Sequence, residues 1–148
     1  MGDYTALLDC SRIAGGLVEL ARAKKANRLL VSGDATTEML GELRRRGFAS
    51  VFSTKTCGLP RGQFEVTLVA WQDHSIKALE TTVDWLVHFL SPTGVLCIWI
   101  GSAELGAHQR HKMALDRLGF RIKSGSRVEH GIAVCARRLE IVRAAEAA

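Results

Sequence analysis

Short apolar runs alternate with amphipathic segments along this chain, and that alternation constrains the fold more than any other feature. The runs Arg28–Gly33 (Arg-Leu-Leu-Val-Ser-Gly) and Phe64–Trp71 (Phe-Glu-Val-Thr-Leu-Val-Ala-Trp) are apolar along most of their length. Strands of that kind are covered on both faces, as in a parallel sheet flanked by helices. The segments between them carry apolar residues at helical spacing: Met39, Leu40 and Leu43 in one, and Ile76, Leu79, Val83, Leu86, Val87 and Leu90 in another. The pattern predicts strands at 4–9, 28–33, 50–53, 64–71, 95–100, 120–124 and 131–137, and helices at 15–25, 36–46, 75–90 and 103–118. The last two strands, joined by a short polar turn, form an antiparallel hairpin. Right-handed crossovers make the remainder a doubly wound α/β sandwich.

At 148 residues the chain is expected to be one domain, 1–148, with 139–148 a frayed helix or contact arm. Hydrophobic content of 47% and charged content of 24% are ordinary for a globular chain, which excludes wholesale disorder. No apolar run approaches the roughly 20 residues of a membrane span, and no signal-like leader is evident. Cys10, Cys57, Cys97 and Cys135 are widely spaced, without a close pair of the kind that marks zinc or redox chemistry, so a reducing cytoplasm is the expected setting. His108 and His111 lie three apart on a predicted helix but lack a third ligand, so no metal is expected. Residues 108–148 hold 9 basic and 4 acidic residues, which accounts for the whole net charge of +5. That excess suits either an anionic partner such as nucleic acid or a solvated surface.

Asp9-Cys10-Ser11-Arg12-Ile13-Ala14-Gly15-Gly16 falls between a predicted strand and a predicted helix, where a nucleotide-binding domain has its glycine-rich turn. Asp9 either positions a cofactor or orders the loop. Asp34, one strand–helix unit later, either accepts ribose hydroxyls or caps the following helix. The strongest strand ends in Trp71-Gln72-Asp73-His74, at the carboxyl edge where open sheets bind ligands. Asp73 and His74 are candidates for a catalytic base and its orienting partner, with helix capping and solvation as the alternatives. Trp71 either walls the pocket or belongs to the core.

In order and spacing, these segments resemble class I S-adenosylmethionine-dependent methyltransferases. The resemblance rests on Leu7-Leu8-Asp9 with Gly15-Gly16, on Ser32-Gly33-Asp34-Ala35-Thr36-Thr37-Glu38, on Leu59-Pro60-Arg61-Gly62-Gln63-Phe64, on Ser91-Pro92-Thr93-Gly94, and on the closing hairpin. It implies a seven-stranded sheet in the order 3-2-1-4-5-7-6 and S-adenosylmethionine as cofactor. It also implies Asp34 as the ribose ligand and Thr54 where the family has an acid that contacts adenine. The family's first loop reads Gly-x-Gly-x-Gly, and the matching positions here are Ser11, Ile13 and Gly15. Holding Ile13 at positive φ would cost about 1–3 kcal/mol. The resemblance implies methyl transfer to a small molecule, whereas the altered loop favours the first of two alternatives. The alternatives are a scaffold domain that has lost the cofactor, or an RNA-associated module. The chain has almost no insertion beyond the minimal fold and lacks an obvious lid or substrate domain, which leaves room for an active form to borrow surface from a second copy or a partner protein.

Overall fold

The structure is a computed structural model that describes residues 9–53, 62–72, 75–101, 107–128 and 131–138. The predicted strand at 4–9 (apart from Asp9), the candidate residues Thr54, Asp73 and His74, and the tail at 139–148 lie outside the described residues.

The first element among the described residues is helix α1 (Cys10–Ala21), which starts five residues earlier than the sequence predicts. Asp9 is its N-cap: its carboxylate accepts the Arg12 N–H at 3.1 Å, and its carbonyl accepts the first helical bond, from Ile13 N–H, at 2.9 Å. Ile13, Ala14, Leu17 and Ala21 then fall on one buried stripe. Strand β1 (Leu29–Gly33) follows, then helix α2 (Thr36–Arg45) and the short strand β2 (Val51–Ser53). Arg44 and Arg45 in the last turn of α2 favour the negative end of its dipole.

Strand β3 (Phe64–Trp71) leads through helix α3 (Ile76–Leu86) to β4 (Leu90–Ile100). Ser75 caps α3, accepting the Ala78 N–H at 3.1 Å. Leu90 pairs with Phe64 and Val95 with Val66, so Ser91-Pro92-Thr93-Gly94 bulges out within β4. Helix α4 (Ala107–Arg117) and the hairpin β5 (Phe120–Val128) and β6 (Gly131–Arg138) complete the described chain.

The six strands lie in the order β2-β1-β3-β4-β6-β5, with β6 antiparallel to both of its neighbours. Ile13 and Leu17 of α1 and Met39 and Leu43 of α2 cover one face, over Val31, Leu68, Cys97 and Trp99. Leu79, Val83 and Leu86 of α3 and Leu115 of α4 cover the other, over Leu30, Val69, Leu96 and Ile98. This is the expected doubly wound sandwich, with six of the seven expected strands among the described residues.

One part of the sequence alignment is corrected. β1 and β3 are hydrogen-bonded neighbours from Leu29↔Val66 to Gly33↔Ala70, so no strand lies between them. In the order 3-2-1-4-5-7-6, the strand beside the fourth is the first. Leu29–Gly33 is therefore the first strand of that pattern rather than the second, and the described strands fill places 2-1-4-5-7-6. Helix α1 precedes the pattern.

Ile13, expected in a cofactor turn, is a core residue with 1% exposure. Truncation to Ala is expected to cost about 2–5 kcal/mol in urea unfolding, against about 1 kcal/mol for Asp9→Ala, which removes only the cap. A turn position for Ile13 would predict little loss, or a gain.

Candidate functional site

The chain passes from β1 outward to β2, then crosses back to β3 on the other side of β1. The carboxyl ends of β1 and β3 therefore bound the crevice where the winding direction reverses, the general ligand position in open α/β sheets. The β1–α2 turn places Gly33, Asp34, Ala35 and Thr36 there, and the end of β3 places Trp71 and Gln72.

Gly33 has φ of 92°, and a Cβ on it would lie 2.1 Å from the Ala70 carbonyl oxygen. Only glycine meets both conditions. That close approach lets Asp34 N–H donate to the same Ala70 oxygen at 2.8 Å, while the Asp34 carboxylate accepts the Gln72 N–H at 2.8 Å. One residue thus ties the first turn to the end of β3 through both its backbone and its side chain. Ala35 follows at φ 52° as the N-cap of α2, where left-handed geometry costs a non-glycine residue about 1–2 kcal/mol. Among the described residues no side chain caps α2: the Asp34 carboxylate accepts from Gln72, and the Thr36 hydroxyl donates to the Gly33 carbonyl at 3.1 Å. The N-terminus of α2, which follows the β1–α2 turn, is therefore without a capping side chain among the described residues, an arrangement that favours an anionic group.

The structure redistributes the residues singled out from sequence. Ser11, Ile13 and Gly15 lie within α1 and form no turn, because Asp9 starts the helix before them. Gly15 makes room for the Arg46 guanidinium, which donates to the Ser11 carbonyl at 2.7 Å, and Gly16 seats against Val128. Their small size serves helix packing. Asp34 does sit at the switch point, but as the residue after the first glycine of the turn, clamped to Gln72. Trp71 is 7% exposed and packs in the α3-covered core. Burial, followed by the carboxylates of Glu38, Asp9 and Glu42, raises the Cys10 thiol above its ordinary range. Among the described residues no group of His, Cys, Asp and Glu could hold a metal ion.

Sequence reasoning quoted Ala35 and Gln72 without giving either a role of its own, and missed Gly101 and Gly131. The last two extend the side-chain-free backbone along the carboxyl edge, and a Cβ on Gly131 would meet the Ile100 carbonyl oxygen at 2.3 Å. The available signal was the unit Arg28–Glu38, an apolar run followed at once by Gly-Asp-Ala-Thr-Thr and a helix.

Solved structures share this architecture. The chain aligns with a 1,6-didemethyltoxoflavin-N1-methyltransferase from Burkholderia thailandensis, a structure with bound 1,6-didemethyltoxoflavin and S-adenosylhomocysteine. The TM-score is 0.64 at 12% identity, over 92% of this chain and 81% of that one. A SAM-dependent methyltransferase from Aquifex aeolicus aligns with a TM-score of 0.62 at 15% identity, over 93% and 98% of the two chains. The fold is that of a class I S-adenosylmethionine-dependent methyltransferase. The same methyltransferase fold also matches the (4+2)-cyclase SpnF, with a TM-score of 0.60 at 12% identity over 86% and 80% of the chains. Fold alone therefore leaves the chemistry open. No family model matches the sequence, and no curated protein matches it. No helix among the described residues is long and apolar enough to cross a membrane.

Gly33→Ala combines a backbone clash with left-handed strain and is expected to cost about 3 kcal/mol or more. Asp34→Ala removes a part-buried, charge-assisted hydrogen bond and is expected to cost about 1.5–3 kcal/mol. Urea unfolding of the two variants checks both values.

Proposed function

We propose that the chain binds S-adenosylmethionine at the β1–α2 turn and catalyses methyl transfer to a small molecule. The observation that carries this reading is the turn itself. At the winding reversal of the methyltransferase fold, Gly33 and Ala35 both hold left-handed backbone geometry and open into helix amides without a side-chain cap. With β1 as the first strand, the Gly-x-Gly-x-Gly positions become Gly33, Ala35 and Thr37. The first glycine is kept, and the second position keeps the backbone conformation that glycine would supply. The residues present fit the cofactor at the backbone level of the first two positions, with the Ala35 methyl and the Thr37 side chain added where the pattern has glycines.

When bound, S-adenosylmethionine supplies an electrophilic methyl group. The α2 amides would receive the carboxylate of its amino-acid end, and Asp34 would hold the turn and the end of β3 in fixed relation. Such positioning is a large share of catalysis in a two-substrate transfer. Ser53, the last residue of β2, takes the second-strand place first assigned to Asp34, and offers a hydroxyl where a carboxylate was expected. Asp73 and His74 follow Gln72 directly in the sequence and are the proposed base and its partner.

A second reading, a scaffold domain without cofactor, is favoured by the Ala35 methyl and by the hydroxyl at Ser53. An RNA-associated role draws less support. Arg121 and Lys123 are exposed on edge strand β5, where cations also block edge-to-edge pairing; Arg117 pairs with Glu80 at 3.1 Å.

S-adenosylhomocysteine separates the two main readings. Millimolar ligand is expected to raise the melting temperature of the wild type by linkage. Ala35→Gly is expected to stabilise the ligand-free protein by about 0.5–1 kcal/mol, as strain relief exceeds the added chain entropy, and to tighten binding several-fold in calorimetry. No shift in either protein would establish the scaffold reading instead.

A further inference from the structure

Cys97 on β4 and Cys135 on β6 are direct register partners across an antiparallel pair. Both side chains lie on the sheet face covered by α1, with exposures of 0% and 5%. Directly opposed residues of an antiparallel pair have Cα atoms about 4.5–5.5 Å apart, inside the roughly 4.4–6.8 Å range that a disulfide spans. We propose that these two thiols form a peroxide-sensitive site at which a cross-strand disulfide links β4 to β6.

The neighbourhood assigns the two sulfurs different roles. Cys135 is paired with Ser124 of the edge strand β5, next to Gly125, and both of those residues are exposed. Small residues thus flank Cys135 on the β5 side. A hydrogen bond from Cys97 lowers the Cys135 thiol from its ordinary range, with Arg137 and the Ser124 hydroxyl acting in the same direction against burial. Cys97 is shifted upward by the same contact and by its burial. Cys135, the less buried of the two and the one adjoining edge strand β5, is assigned as the attacking thiol and Cys97 as the resolving thiol.

The chemistry balances with hydrogen peroxide as oxidant. The Cys135 thiolate attacks one peroxide oxygen, the O–O bond breaks, and the departing hydroxide leaves as water with the proton lost from Cys135. The product is a sulfenic acid on Cys135. The Cys97 sulfur then attacks the Cys135 sulfur, the S–O bond breaks, and the hydroxide leaves as water with the Cys97 proton. Two thiols and one peroxide give one disulfide and two waters. The site is independent of cofactor binding at the β1–α2 turn. The link would fall two rungs along the β4–β6 ladder from Trp99↔Ala133, on the side away from the carboxyl edge.

Cys10 is the internal comparison: it is less buried than Cys97 and Cys135, and its own burial and the Glu38, Asp9 and Glu42 carboxylates raise its thiol above the ordinary range. The experiment treats the folded full chain with stoichiometric hydrogen peroxide, alkylates the remaining thiols in denaturant, and maps the peptides by mass spectrometry. The expected product joins the Cys97 and Cys135 peptides, is reversed by dithiothreitol, and leaves Cys10 alkylated. Cys97→Ser is expected to accumulate a dimedone-trappable sulfenic acid on Cys135, and Cys135→Ser to lose trapping at Cys97. Absence of the 97–135 link in the folded wild type would overturn the proposal, whatever the variants do. So would a link found only after denaturation, or peroxide reacting first at Cys10.

Discussion

The direct contact between β1 and β3 is the constraint on which the rest of this structure depends. Five residue pairs join the two strands, and at the last of them Gly33 brings its backbone against the Ala70 carbonyl so closely that no side chain fits. That contact fixes which strand is central and where the winding reverses. It thereby fixes which turn faces the ligand edge. Asp34 completes the junction from both of its ends, by N–H to Ala70 and by carboxylate to Gln72. The cost is local: the α2 amides lose a capping carboxylate and Ala35 accepts left-handed strain. Strain and an N-terminus without a side-chain cap, concentrated at one turn, suit a site for an anionic group.

Much of the architecture is legible in the sequence. The buried strands β1, β3 and β4 announce themselves as apolar runs, and the stripes of α2 and α3 follow helical periodicity. The closing hairpin is equally plain, because Phe120 and Gly131 each follow a turn signal. The register of the first strand–helix unit is not. Two features at the start of the chain imitate a cofactor turn: an acid at Asp9, and the small pair Gly15-Gly16. The competing signal was also present. Asp9 as a cap, followed by Ile13, Leu17 and Ala21 at four-residue spacing, describes a helix beginning at Cys10. A glycine in a sequence does not declare whether it serves positive φ or close packing. At Gly15 and Gly16 the reason is an arginine head and a valine in another element, which local reading cannot supply.

Moving the turn from Asp9–Gly16 to Gly33–Thr37 changes the functional argument in both directions. An isoleucine at a left-handed position would have made the turn prohibitive. An alanine there is tolerable, and the first glycine is intact, so the cofactor reading gains. The acid that was to hold the ribose becomes a structural clamp, and Ser53 stands at the end of the second strand, so tight binding loses. The balance is a methyltransferase fold whose backbone cradle survives better than its side-chain ligands.

The clamp at the β1–β3 junction is testable directly, without any ligand. Native-state amide exchange followed residue by residue reads the Asp34 and Gln72 N–H groups, neither of which belongs to a helix. If the junction organises the fold, both amides exchange only through global unfolding, with protection matching that of the central β3 residues. Exchange of either at the rate of an exposed loop amide would mean that the two strand ends are not joined, and the assignment of the ligand edge would fall with them.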